Sequence, residues 1–387
     1  MLSQKLLELI DEEDLQSLVR DNVNELKTLE FKSYLNVNSD NDKKEFLFDV
    51  SSFANANGGD LIYGIREYKG QAGELEGIEI ENVDAEVLRL ENIIRDGIEP
   101  RIPRLEIKSI PLANGKVVFI LRIGKSWSSP HWVKFKGSYK FYSRNSAGKY
   151  LLDLSELRSS FNLYDSKIDR LRSFRSDRLS KIISGDTPCP LDGTAKIVLH
   201  ILPLNAYDPG FAIDIRQPKG RIDWWAPLDA YGFSRIQYNF DGLFTNSKLN
   251  SYLQLFRNGC IETVNVSLLN DSNGQRLLYG GPFEKQIIEI LSQMINILKH
   301  YSINPPIFIM LSLLGIKGYD IATDGGLGRR IDRREFIQSD LLPSEVMIDN
   351  LNFNSAEVMK PIFDVIWNAA GWPGSPYYDE QGNWHMQ

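Results

Sequence analysis

The chain has 387 residues, 42 % of them apolar, 11 % aromatic and 25 % charged. That length exceeds one ordinary compact domain, and the composition is that of a folded globular protein, so wholesale disorder is excluded. The net charge of −7 hides an asymmetry: residues 1–100 carry 10 basic and 23 acidic side chains, whereas residues 101–150 carry 11 basic and a single acid, Glu106. The longest largely apolar run, Ile307 to Ile316, is about half of a bilayer span, so no membrane association is expected. Charged residues follow Met1 too soon for a signal peptide. Cys189 and Cys260 are too few for a disulfide framework or a zinc knuckle, which fits a reducing, cytoplasmic setting.

Residues 3–20 carry Leu6, Leu7, Ile10, Leu15, Leu18 and Val19 near helical spacing and read as one or two amphipathic helices. Thr28 to Leu35 alternates and reads as a half-buried strand. Asp42 to Ala56 reads as a helix, with Asp42 as N-cap and Glu45 as its capping-box partner. Asn57-Gly58-Gly59 ends it, and Leu61 to Ile65 is a short buried strand. Asp84 to Ile98 is a further helix. Ile102 to Ile110 and Lys116 to Ile123 form a hairpin across Ala113-Asn114-Gly115. Residues 131–143 are strand-like, Asp153 to Phe161 is a helix capped by Asp153 with Glu156, and 165–183 is a charged helix. Gly185 to Pro190 is the best linker candidate. Beyond it, strands are expected at 197–204 and near 211–215, 234–240, 251–257, 261–268 and 307–314. Helices are expected at 283–301 and 355–369, with an irregular tail after Gly371. Both halves read as α+β.

Three constellations could carry chemistry. Glu30 and Lys32 share a face of a strand, with Glu25 at its entry and Glu67 after the next strand. Carboxylates at neighbouring strand ends can hold Mg²⁺ or Mn²⁺, and a lysine can offset charge on a phosphate. The wet face of an ordinary strand reads the same way. Gly58-Gly59 could bring backbone N–H groups to a phosphate, or could simply cap a helix. In the basic segment, Trp127, Trp132, Phe135, Tyr139, Phe141 and Tyr142 interleave the cations, a mixture that suits a nucleic-acid strand and also an amphipathic hairpin. Its candidate contacts are Arg122, Lys125, Lys134, Lys136, Lys140, Arg144 and Lys149. Residues 143–150 are not a Walker A loop, since Ser143 replaces the first Gly and Tyr150 follows the Lys. Gly325 to Arg330 reads as a flexible basic loop, and the four histidines show no metal spacing.

Taken in order, Glu25-x4-Glu30-Phe31-Lys32, Ser52 to Gly59, Ile62-Tyr63-Gly64-Ile65-Arg66-Glu67 and Phe141 to Ser146 resemble the Schlafen-type divergent AlbA domain over roughly residues 20–162. The resemblance implies nucleic-acid binding, to RNA or DNA. It also implies, for some members, metal-dependent cleavage of structured RNA such as tRNA by three acids that match Glu25, Glu30 and Glu67. The third acid is usually Asp; Glu67 is one methylene longer. Other members are labelled ATP-binding or transcription regulators, so a non-catalytic regulator or an ATP sensor is the alternative. A homodimer and a role in bacterial stress or phage defence are further implications. The resulting layout is an AlbA-like domain at 1–163, a charged helix and linker at 164–190 and a second α+β domain at 191–387.

Overall fold

The computed structural model describes residue 2 and residues 5–385, apart from 209, 231, 249, 273–274 and 324–331. The chain divides into two compact units, Met1–Ser166 and Lys167–Gln387. The expected basic loop at Gly325 to Arg330 lies outside the described residues.

Unit 1 is built on a four-stranded sheet in the order β1 (Leu29–Lys32), β2 (Gly58–Tyr63), β7 (Val117–Gly124), β6 (Leu105–Pro111). β1 and β2 run parallel, with Glu30 opposite Leu61, and β7 is antiparallel to both β2 and β6. The two-residue period gives this sheet two dry faces. Phe31, Ile62, Val118 and Ile120 face the N-terminal segment, where Leu7, Ile10, Leu15 and Leu18 close over them, the last two from α1 (Glu12–Arg20). Leu61, Tyr63, Phe119 and Leu121 face α2 (Asp40–Ala54) and α3 (Val83–Gly97). A hairpin of β3 (Ile65–Tyr68) and β4 (Gln71–Leu75) follows β2. A second sheet has the order β10 (Gly148–Leu151), β9 (Ser138–Asn145), β8 (Trp132–Phe135), β5 (Ile98–Glu99).

Helix α2 starts two residues earlier than its sequence pattern suggests. Ser39 is the N-cap, and Asp42, expected there, is the reciprocal partner at the third helical position. The hydroxyl and the carboxylate each satisfy an orphan N–H, so either residue fits the pattern in isolation. The two helices expected at 153–161 and 165–183 are one, α4 (Leu154–Ser184). Asp153 and Glu156 close its capping box as expected.

Unit 2 has a seven-stranded antiparallel sheet in the order β12 (Gln237–Tyr238), β13 (Gly242–Ser247), β14 (Ser251–Phe256), β15 (Ile261–Asn265), β11 (Lys196–Pro203), β18 (Ile307–Leu314), β21 (Val346–Ile348). A smaller sheet orders β16 (Leu269–Ser272), β17 (Gln275–Tyr279), β19 (Asp320–Ala322) and β20 (Arg333–Glu335). One face of the large sheet packs on α5 (Gly280–His300) and α6 (Ser355–Ala369). The other face takes Leu179 and Ile182 of α4. No strand forms at 211–215, and β13 and the short strands of the smaller sheet carry no clear alternation in the sequence. Among the described residues, no helix is long and apolar enough to cross a membrane.

Candidate functional site

Glu30 and Lys32 project from the α2-facing side of β1, and Lys32 Nζ lies 2.6 Å from Glu30 Oε1. Strand β9 brings in Arg144, whose Nη2 lies 2.7 Å from Glu30 Oε2. The Arg144 guanidinium stacks 3.6 Å above the Phe53 ring of α2. Strand β10 brings in Lys149, which reaches Asp49 Oδ1 at 2.8 Å and Glu45 Oε2 at 2.7 Å on α2. Lys32 Nζ stands 4.0 Å from Asp49 Oδ2 and closes the chain. Three carboxylates and three cations therefore alternate, and the network is formally neutral. Burial works to raise the Glu30 carboxyl, but Lys32 and Arg144 outweigh it and hold it below its ordinary value. Burial raises the Asp49 carboxyl despite Lys149.

Asn55 ends α2 and fixes this arrangement. Its Nδ2 donates to the carbonyls of His131 and Tyr142, each at 2.8 Å, and its Oδ1 accepts from the His131 N–H at 2.6 Å. One amide thus ties the helix end to β9 and to the entry of β8. His131 is pushed down to about 4 by burial and stays neutral near pH 7. The glycines that follow serve close packing. Gly58 has φ +70° and Gly59 φ +146°; an added Cβ would run into the backbone of Lys125 and Ile123 at the first and the Thr28 carbonyl at the second. Arg144, the cation set beside Gly58 and Gly59 in the phosphate reading, is paired with Glu30 inside the protein.

Glu25, Glu30 and Glu67 are neighbours. Glu25 Oε1 accepts from the Phe31 N–H at 2.8 Å, and the Glu25 N–H donates to the Gly70 carbonyl at 2.7 Å. The Gly70 N–H in turn donates to Glu67 Oε1. Burial raises the Glu25 carboxyl most, and the charges of Glu30 and Glu67 raise it further. Yet both Glu30 oxygens face protein cations. Among the described residues no three His, Cys, Asp or Glu side chains are arranged to hold a metal ion. A Mg²⁺ or Mn²⁺ ion shared by the three acids would have to take the place of Lys32 and Arg144 at Glu30.

The nominated nucleic-acid contacts separate into two groups. Arg122 is turned to the opposite sheet face, where it forks onto Asp60 at 2.7 and 2.9 Å and donates to the Lys5 and Leu2 carbonyls. It ties the N-terminal segment to the sheet. Arg144 is 4 % exposed and Lys149 is half-buried, both inside the ion network. Lys125 and Lys140 are exposed. Lys134 and Lys136 are exposed and pair with Glu99 and Asp40. With Lys43 and Arg89 they line a groove of about 690 Å³ floored by Leu88, Ile93 and Phe135.

Residues 25–153 match the family model described as Schlafen, AlbA_2. The chain carries a Schlafen AlbA_2 domain. The family points to nucleic acid as the class of partner. Two solved structures resemble parts of the chain. One is the DIP2311 protein from Corynebacterium diphtheriae, at 16 % identity and TM-score 0.27, over 38 % of this chain and 27 % of that one. The other is the N-terminal domain of a RecG-related protein from Nitrosomonas europaea, at 17 % identity and TM-score 0.27, over 35 % of this chain and 89 % of that one. No curated protein sequence matches the chain.

Within the AlbA_2 domain, Asp49 and Glu45 are site residues that charge and motif leave unassigned, and Asn55 lies in the Ser52 to Gly59 motif with no role of its own read from the sequence. Glu45 and Asp49 are four apart, and so share one face of α2. That pair of acids on a helix otherwise full of buried residues was the available signal.

Proposed function

We propose that the AlbA_2 domain binds nucleic acid through the exposed lysines around β8 and β9, with the buried network at Glu30 holding the framework. The groove lined by Lys43, Arg89, Lys134 and Lys136 carries this reading, since four cations ring it and Asp96 is its one acidic lining residue. The partners Glu99 and Asp40 are themselves about half exposed. Such pairs contribute about 0–1 kcal/mol, so phosphates can replace the carboxylates at little cost. Charge reversal at exposed sites tests it: Lys140→Glu or Lys43→Glu lowers affinity for labelled RNA or DNA and flattens its salt dependence. Unchanged affinity in both variants contradicts this interface.

A finer reading is a metal-dependent endoribonuclease acting on RNA such as tRNA. It is supported by the proximity of Glu25, Glu30 and Glu67, close enough for the charges of the latter two to act on Glu25. It requires Glu30 to part from Lys32 and Arg144. Incubation of labelled tRNA with Mn²⁺ or EDTA separates the readings. Metal-dependent cutting lost in Glu67→Gln supports the nuclease, and binding without cutting leaves a recognition module.

A further inference from the structure

The sheet formed by β8 and β9 has two unlike faces. Val133, Phe135 and Tyr142 point to α2, where the Tyr142 and Phe48 rings meet at 4.3 Å. The strand pairing sets Trp132 opposite Phe141 and Lys134 opposite Tyr139, and alternation turns all four to the other face. There the rings form a row. Tyr139 and Trp132 have centroids 5.5 Å apart, Trp132 and Phe141 5.7 Å, and Phe141 and Phe161 of α4 6.3 Å. Both ends of the row are open to solvent, Tyr139 at 63 % and Phe161 at 52 % exposure.

We propose that this row is a stacking platform for unpaired bases of a nucleic-acid strand. The inference rests on the nucleic-acid-binding reading and narrows its substrate to single-stranded or looped regions. The rings lie on a sheet face rather than in a core, tilted to one another by 53° and 33° and edge-on at Phe161, with the open rings Tyr139 and Phe161 at the two ends. Sequence-tolerant binding of single strands uses exposed aromatic faces that any base can cover, with cations for the phosphates between them. Lys134 stands beside Tyr139 on the same face, held by an ion pair to Glu99 that is exposed on both sides. Exposed Lys140 follows Tyr139 in the strand, but it stands opposite Val133 and so belongs to the other face, which leaves Lys134 as the cation of the row itself. A duplex offers no free base faces to such a row, because its bases already stack on one another.

The test compares a labelled single-stranded RNA with a duplex of the same length, using the full chain. Tyr139 and Phe161 are the variants of choice, since both are mostly exposed and their loss leaves the core intact. The wild type binds the single strand more tightly than the duplex. Tyr139→Ala and Phe161→Ala each weaken single-strand binding by roughly 5- to 150-fold, the range of one lost base stack. Both leave duplex binding unchanged, and Tyr139→Phe retains wild-type behaviour. Full single-strand affinity in both alanine variants, with binding still lost in Lys140→Glu, overturns the platform and leaves the nucleic-acid reading standing. No binding of either probe by the wild type overturns both.

Discussion

Glu30 shows how far a single residue can be read without its neighbours. Its period-two relation to Lys32 is fixed by strand geometry and is visible in three consecutive letters. Its second partner, Arg144, comes from more than a hundred residues away and is visible only in the fold. Charge, interleaved aromatics and motif position point to Arg122, Arg144 and Lys149 as contacts, yet each pairs with an internal carboxylate. Glu30→Ala strands a buried guanidinium beside Phe53. The expected cost is about 3–5 kcal/mol of folding stability, read by chemical denaturation, as for other buried pairs broken on one side. A stability change under about 1 kcal/mol would mean that the network is not what holds this corner. A second buried pair makes the same prediction in unit 2. Glu262 is fully buried and accepts from Arg178 at 2.7 and 2.9 Å, from the Tyr252 hydroxyl at 2.8 Å, and has His200 Nε2 at 2.9 Å. These partners hold its carboxyl down at about 2. Glu262→Ala should destabilise unit 2 by a similar amount.

Elements with strong periodicity were legible, and elements defined by pairing were not. Helix α6 and strand β18 lie where their apolar patterns put them. Strand β2 begins at Gly58 rather than Leu61 because its first residues pair with the end of β7, a long-range fact. Helix α4 was broken in two by its uneven apolar pattern, although no Gly or Pro interrupts it between Leu154 and Ser184. Gly59 belongs to this scale as well, since it lets β2 pass the turn before β1. Gly59→Ala is expected to unfold that corner, with a fall in melting temperature of several degrees; an unchanged melting temperature would show the turn to be more yielding than it looks.

For the whole molecule, charge and pH separate the two units. In unit 2, Glu284 of α5 accepts from the indoles of Trp367 at 2.7 Å and Trp384 at 2.8 Å. Burial pushes its carboxyl up to about 7, against an ordinary 4.5. The folded state therefore binds this proton more tightly than the unfolded state. Its contribution to stability, on the order of 3 kcal/mol, is whole below about 4.5 and is lost as the pH rises to about 7. Denaturation between pH 5 and 8 should show stability falling with pH in the wild type and a flatter profile in Glu284→Gln. Equal profiles would remove Glu284 as the cause. In unit 1, the excess of cations over residues 101–150 was plain from composition. Which of those cations face outward was not, because strand alternation and ion pairing decide it. The most direct test of nucleic-acid binding by this domain is the affinity of the full chain for a labelled single-stranded RNA, followed by fluorescence anisotropy as salt rises from low to physiological. Affinity should fall linearly on a log–log scale, with a slope of about −0.7 for each phosphate contact, and the slope should shrink in Lys140→Glu. Absence of binding at low salt, or binding indifferent to salt and to Lys140→Glu, would contradict it.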